Sequence, residues 1–187
     1  RLGIFGTFYG PRTPRHLLKA IDRLAGDKSL PKFSLETFGL GGEAFKRELA
    51  QFGDAGNHVA HGGILPHTAA LNRMTACDIL VISDAPTPTR SIFLTSKVVD
   101  YLGAGRPIFA ITPEGPTKDL VEQLGGWAVD PRDGTSIAHL LADAIRKVGS
   151  SEATISKAVS NEYRIDRIGR HFRDILDATI ASKASAT

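Results

Sequence analysis

Residues Asp78 to Thr112 read D-I-L-V-I-S-D-A-P-T-P-T-R-S-I-F-L-T-S-K-V-V-D-Y-L-G-A-G-R-P-I-F-A-I-T. The run I-L-V-I is continuously apolar, the pattern of a strand covered on both faces. The loop Asp84 to Thr95 follows, with prolines at 86 and 88 and no periodicity, as functional loops often are. Ser96 to Gly103 then reads as a short helix that stops at the glycines, and Pro107 to Thr112 as the next apolar strand. Lys97 and Asp100 fall in the first turn of that helix. A helix start presents free N–H groups and a partial positive charge. A lysine there is locally unfavourable unless it faces an anion, so the stretch predicts a phosphate-bearing ligand.

Outward from this stretch the same alternation continues. Leu2 to Phe8 reads as a buried strand bounded by the turn-prone Gly10-Pro11. Thr13 is expected to cap a helix with Pro14 first, Leu17, Leu18, Ile21 and Leu24 on one face and Gly26 after it. Phe33 to Phe38 and His58 to Ala60 read as strands, and Glu43 to Phe52 and Pro66 to Met74 as helices. Downstream come a helix from Thr117 to Leu124 and a strand from Trp127 to Asp130. Asp133 then caps the best amphipathic helix, with Ile137, Leu141, Ala144, Ile145 and Val148 at helical spacing. After Gly149-Ser150-Ser151 the tail reads as helical to about Ala181, and its last residues as frayed.

Alternating strands and helices predict an α/β fold, a Rossmann-like doubly wound parallel sheet of about six strands. It spans 1–149, with a C-terminal helical segment, 150–187, packed on it. Such sheets bind ligands at the carboxyl ends of their strands. That selects the loops Gly6 to Arg15, His61 to Pro66, Asp84 to Lys97 and Pro113 to Thr117.

Bulk composition narrows the function classes. With 187 residues and 42% hydrophobic content the chain can bury a full core as one domain. A net charge of +3, with arginines scattered among carboxylates, argues against a nucleic-acid partner. The single cysteine, Cys77, reads as a small core residue and fits a reducing cytoplasm. No apolar run is long enough for a membrane span. The chain opens R-L-G-I-F-G, already inside a strand pattern and without a methionine, which suggests a fragment of a longer polypeptide.

Arg12, with Arg15, stands at the entrance of the first predicted helix, electrostatically out of place unless an anion neutralises it. Gly6 and Gly10 allow close backbone approach in the same loop. Lys97 and Asp100, three apart, form either a surface ion pair or a site in which the lysine meets a phosphate and the carboxylate accepts from two vicinal hydroxyls. His58, His61 and His67 match no metal-binding spacing, and the nucleotide loops G-x-G-x-x-G and G-x-x-x-x-G-K-[ST] and the nucleophile elbow G-x-S-x-G are absent. Arg164, Arg167, Arg170 and Arg173 drift around the tail helix as a solvated flank. Beside them Ile165, Ile168, Phe172, Ile175 and Leu176 form a stripe expected to stay partly exposed and pack on an absent half of the protein.

Four pieces in order carry a resemblance over nearly the whole chain: G-T-F-Y-G-P-R-T-P-R-H-L-L-K-A-I, H-G-G-I-L-P-H-T-A-A-L-N-R-M-T-A-C-D-I-L-V-I, S-K-V-V-D-Y-L-G-A-G-R-P-I-F-A and G-G-W-A-V-D-P-R-D-G-T-S-I-A-H-L-L. Together they resemble the C-terminal, donor-binding domain of GT-B fold glycosyltransferases of the retaining, family-4-like kind. The resemblance implies that Gly6 and Thr7 approach a diphosphate held by Arg12, that Gly63, Ile64 and Leu65 pack on the base, and that Asp100 replaces a ribose-binding glutamate. Arg90, Ser91, Thr95, Ser96 and Lys97 complete the implied donor site. Three positions depart from the family: Thr7 stands where a first basic residue is usual, Ile92 where a glutamate meets the donor sugar, and Asp100 is a methylene shorter.

The resemblance implies a transferase moving a sugar from a UDP- or GDP-linked donor to an acceptor hydroxyl, as in polysaccharide-building members, with no cofactor and no metal. Acceptor site, general base and any peripheral membrane association then belong to a missing N-terminal domain, and the fragment alone is inactive. Two alternatives stay open: a nucleotide-sugar epimerase of the same architecture, and a noncatalytic scaffold that has lost the donor site, which Thr7 and Ile92 favour.

Overall fold

A computed structural model describes residues 1–150 and 152–184. The first compact unit runs from Arg1 to Ile155. It contains six strands: β1 (Leu2–Phe5), β2 (Leu35–Phe38), β3 (Val59–His61), β4 (Ile79–Ser83), β5 (Ile108–Ile111) and β6 (Trp127–Val129). They form one all-parallel sheet in the order β3-β2-β1-β4-β5-β6. The helices between them are α1 (Arg15–Leu24), α2 (Gly42–Leu49), α3 (His67–Thr75), α4 (Lys97–Ala104), α5 (Pro116–Gln123) and α6 (Gly134–Gly149).

Burial follows the sequence pattern. Every residue of β1, β4 and β5 is buried, as strands covered on both faces require, whereas β3 at the edge is half-buried to exposed. Right-handed crossovers put α1 and α2 on one face and α4 and α5 on the other. α6 returns to pack along α1, and α3 packs on α4. Asp133 caps α6 by accepting from the Ser136 amide at 3.0 Å, as expected. Ile137, Leu141 and Ile145 then bury one face of α6, each worth about 1.5–3 kcal/mol.

Local chemistry moves some boundaries. β1 stops at Phe5, three residues short of the expected end, because Gly6 takes φ +134° and turns the chain away. Pro14 occupies the cap position of α1, and the Thr13 hydroxyl accepts from the Arg15 amide at 2.9 Å one position earlier than a capping bond would require. Cys77 is fully buried, its sulfur packed over Gly3, and burial pushes the thiol pKa up.

The second compact unit begins at Ser156. The tail is two helices rather than one: α7 (Lys157–Glu162), capped by Ser156, and α8 (Ile165–Ala184). Along α8 Ile165, Ile168, Phe172 and Ile175 are exposed, Arg164 and Arg170 pair with Asp166, and Arg167 pairs with Glu162. The expected fraying falls on 185–187, outside the described residues, while 182–184 are helical. No described helix is long and apolar enough to cross a membrane.

Candidate functional site

The chain leaves β1 toward β2 and β3, then returns to lay β4 on the other side of β1. This reversal opens a crevice at the carboxyl ends of β1 and β4. Pairing between them ends at Ile4 and Val81. Beyond that fork the buried Tyr101 of α4 supplies the missing partner. Its hydroxyl accepts from the Phe5 amide at 3.2 Å and donates to the Val81 carbonyl at 3.0 Å. Burial pushes its phenol pKa far up, so it stays a donor at any working pH. Tyr101 thereby fixes the helix that starts with Lys97.

A cavity of about 640 Å³ lies above the fork. The loop after β1 contributes Thr7, Tyr9 and Arg12; the loop after β4 contributes Asp84, Ser91, Phe93 and Leu94; Thr95, Ser96 and Lys97 open α4; Pro113 and Thr117 follow β5. Gly115 holds two of these loops together: a Cβ there would sit 2.5 Å from the Ser91 carbonyl oxygen. The Ser91 amide donates to the Glu114 carbonyl at 2.7 Å across the same contact.

Arg12 and Lys97 supply the positive charge. One Arg12 nitrogen donates to Asp84 Oδ1 at 2.6 Å, and the guanidinium lies over the Tyr9 ring, 5.4 Å from its centroid. Asp84 is itself anchored, since its Oδ2 accepts from the Thr112 hydroxyl at 3.0 Å and its amide donates to the Ile111 carbonyl. The Lys97 stem crosses Gly6 so closely that a Cβ there would lie 2.4 Å from Lys97 Cε. Among the described residues the Lys97 ammonium makes no hydrogen bond or ion pair. Loss of water and then the Arg12 cation hold its pKa below the ordinary lysine value, with Asp84 and Asp100 offsetting part of this. A half-buried, unpartnered lysine beside a held arginine, at a helix N-terminus, is suited to receive an anion with several oxygens.

The sequence-predicted residues divide. Thr7, Arg12, Ser91, Thr95, Ser96 and Lys97 line this cavity, and Gly6 lies on a small recess below it with Lys97. Asp100, one turn further along α4, opens instead into a groove of about 240 Å³ between α3 and α4, with Leu71, Thr75 and Val99. Arg90 points outward to Asp119 and Glu114. The Gly63 carbonyl accepts from the Gly39 amide at 2.9 Å at the ends of β2 and β3, and Ile64 beside it is exposed. Arg15 is engaged away from the cavity by Glu48 and Gln51. Asp84 is the residue sequence reasoning missed. Its signals were a carboxylate ending an apolar strand and its place at the start of the loop Asp84 to Lys97 selected at the sheet's carboxyl edge.

The histidines do not converge: His58 stacks on Phe33, and His61 stacks on Phe45 and bonds Thr37. Among the described residues no group of three His, Cys, Asp or Glu side chains is placed to hold a metal.

No family model and no curated protein matches the chain. Solved structures do. A glycosyltransferase from Rickettsia africae superposes with a TM-score of 0.70 at 14% identity, over 93% of this chain and 46% of that one. Anabaena HepE, solved in complex with UDP, gives 0.65 at 20% identity, over 95% and 48%. The chain thus spans about half the length of these proteins. The C-terminal domain of LpcC, a group 1 glycosyl transferase from Francisella tularensis, gives 0.66 at 19% identity and is matched over 88% of this chain and 86% of its own. The fold is that of a GT-B C-terminal domain. In this fold Arg12 and Lys97 stand at the sheet's topological switch point, on the loop after β1 and the helix after β4.

Proposed function

We propose that the chain is the donor-binding domain of a glycosyltransferase that moves a sugar from a UDP- or GDP-linked donor to an acceptor hydroxyl. The observation that carries this reading is the unpartnered Lys97 beside Arg12 at the start of α4, in a cavity large enough for a sugar diphosphate. In this reading the two cations and the α4 amides hold the diphosphate and stabilise the charge it gains on departure, an electrostatic role that needs no metal. Gly6, Thr7 and Ser96 approach the diphosphate, Ser91 and Thr95 line the far side of the cavity, and Arg90 stands at the rim. Gly63, Ile64 and Leu65 pack on the base, and Asp100, which faces the α3–α4 groove and not the cavity, meets a ribose that lies over the start of that groove.

The acceptor site and general base belong to a preceding domain. By itself this half binds donor weakly and catalyses nothing. Calorimetric titration with UDP and with GDP tests the reading, and absence of binding by both at millimolar concentration refutes it. One observation favours a noncatalytic scaffold: Arg12 is already neutralised by Asp84. Unchanged nucleotide affinity in both Lys97→Ala and Asp100→Ala would select that second reading.

A further inference from the structure

The cavity has two chemically different ends. Toward β1 lie the groups free to bind a ligand: the Lys97 ammonium, the remaining Arg12 N–H groups and the hydroxyls of Thr7 and Ser96. Toward β5 the wall is made by Ala85, Phe93, Leu94 and Pro113. Most polar side chains at that end serve the loops themselves, the Thr95 hydroxyl being the exception among the described residues, and the Tyr9 phenol on the cavity is likewise unbonded. Thr117 accepts from the Thr95 amide at 3.0 Å and donates to the Phe93 carbonyl at 3.1 Å. Thr87 donates to the Thr89 carbonyl, and Ser91 accepts from the Phe93 amide. Among the described residues Asp84 is the one carboxylate on the cavity, and it has one oxygen on Arg12 and the other on Thr112.

We propose that the sugar this site accepts is hydroxyl-poor, a 6-deoxyhexose or similarly deoxygenated ring, recognised by the apolar wall of Phe93, Leu94 and Pro113. The inference rests on the donor-binding reading, in which the base occupies the Gly63–Leu65 loop and the diphosphate the Arg12/Lys97 end, leaving the β5 end for the sugar. A fully hydroxylated pyranose needs acceptors, above all carboxylates, for its O–H groups. Here its hydroxyls would lose water against carbon, with no uncommitted carboxylate to replace it. A methyl group in place of a hydroxymethyl group removes one hydroxyl from that mismatch and adds apolar contact with Leu94, which is 44% exposed and so has surface left to bury.

Matched donor pairs test this on the 187-residue chain. UDP, UDP-glucose and UDP-6-deoxyglucose, and likewise GDP, GDP-mannose and GDP-6-deoxymannose, are titrated by calorimetry. An apolar wall discriminates against an added hydroxyl by up to about a hundredfold, and an open rim by less. The expected result is about a five- to tenfold preference for the 6-deoxy member, falling within twofold in Leu94→Gln, whose amide can bond a hydroxyl. Equal or tighter binding of the hydroxylated member, with free nucleotide still bound, overturns the inference and leaves the donor reading intact. Leu94→Gln weakening free UDP or GDP as much as the sugar nucleotides overturns it too, because the apolar end then holds the base. Binding of neither nucleotide removes the donor reading, and this inference falls with it.

Discussion

Replacing Lys97 by methionine is expected to move folding and binding in opposite directions. The substitution keeps an unbranched stem across Gly6 and removes only the ammonium. In the folded chain that ammonium is short of water and near the Arg12 guanidinium, so its pKa lies below the unperturbed 10.5. A lysine with a folded pKa below its unfolded one binds fewer protons when folded. Its charged form therefore costs stability at neutral pH, and stability rises with pH between the folded value and 10.5. Lys97→Met removes the cost and its alkaline rise, so the urea midpoint at neutral pH stays level or increases. Binding goes the other way. A charge-assisted hydrogen bond contributes about 1.5–3 kcal/mol. Its loss weakens Kd for UDP or GDP roughly 10- to 150-fold in calorimetry. Undiminished nucleotide affinity together with a lowered midpoint would show that the ammonium serves the fold, and would refute the reasoning.

Tyr101→Phe leaves the Phe5 amide without a partner and should cost about 1–3 kcal/mol in urea unfolding, with faster hydrogen exchange at Phe5; unchanged exchange there contradicts the role given to the phenol. Gly6→Ala places a side chain at φ +134° against the Lys97 stem, so a loss of about 1–3 kcal/mol and weaker nucleotide binding are expected together; stability loss with full affinity would show that Lys97 does not hold the ligand. Asp133→Ala removes the α6 cap for about 1 kcal/mol while nucleotide affinity stays at the wild-type value, a control for loss of stability alone.

The sheet was legible because its central strands are apolar runs separated by helices with caps and glycine stops. Boundaries moved where single residues decide them. The apolar run from Leu2 to Phe8, interrupted near its end by Gly6 and Thr7, hid the turn that ends β1. The break at Tyr163-Arg164 split a tail whose periodicity reads as continuous. Lys97 and Asp100 share a helix face by spacing, yet they open into different cavities. The long lysine stem folds back over Gly6 to the fork, while the short carboxylate one turn later stays beside α3. Side-chain reach, not helical spacing, decides which of them meets the cavity. The Arg12–Asp84 pair spans 72 residues and depends on β1 and β4 being neighbours, a fact of topology that no local pattern contains.

The phenol of Tyr101 stands where a solvent molecule would otherwise bridge two separating strands. A bridging water exchanges and lets such a gap breathe; a tethered hydroxyl does not. Its oxygen welds the start of α4 to the backbones of β1 and β4, so the lysine at that start cannot advance or withdraw without distorting the sheet. In the proposed donor-binding reading, the start of α4 is therefore a rigid anvil, ordered once during folding and not again at each encounter. In the same reading, any movement that closes on the ligand comes from other parts of the protein.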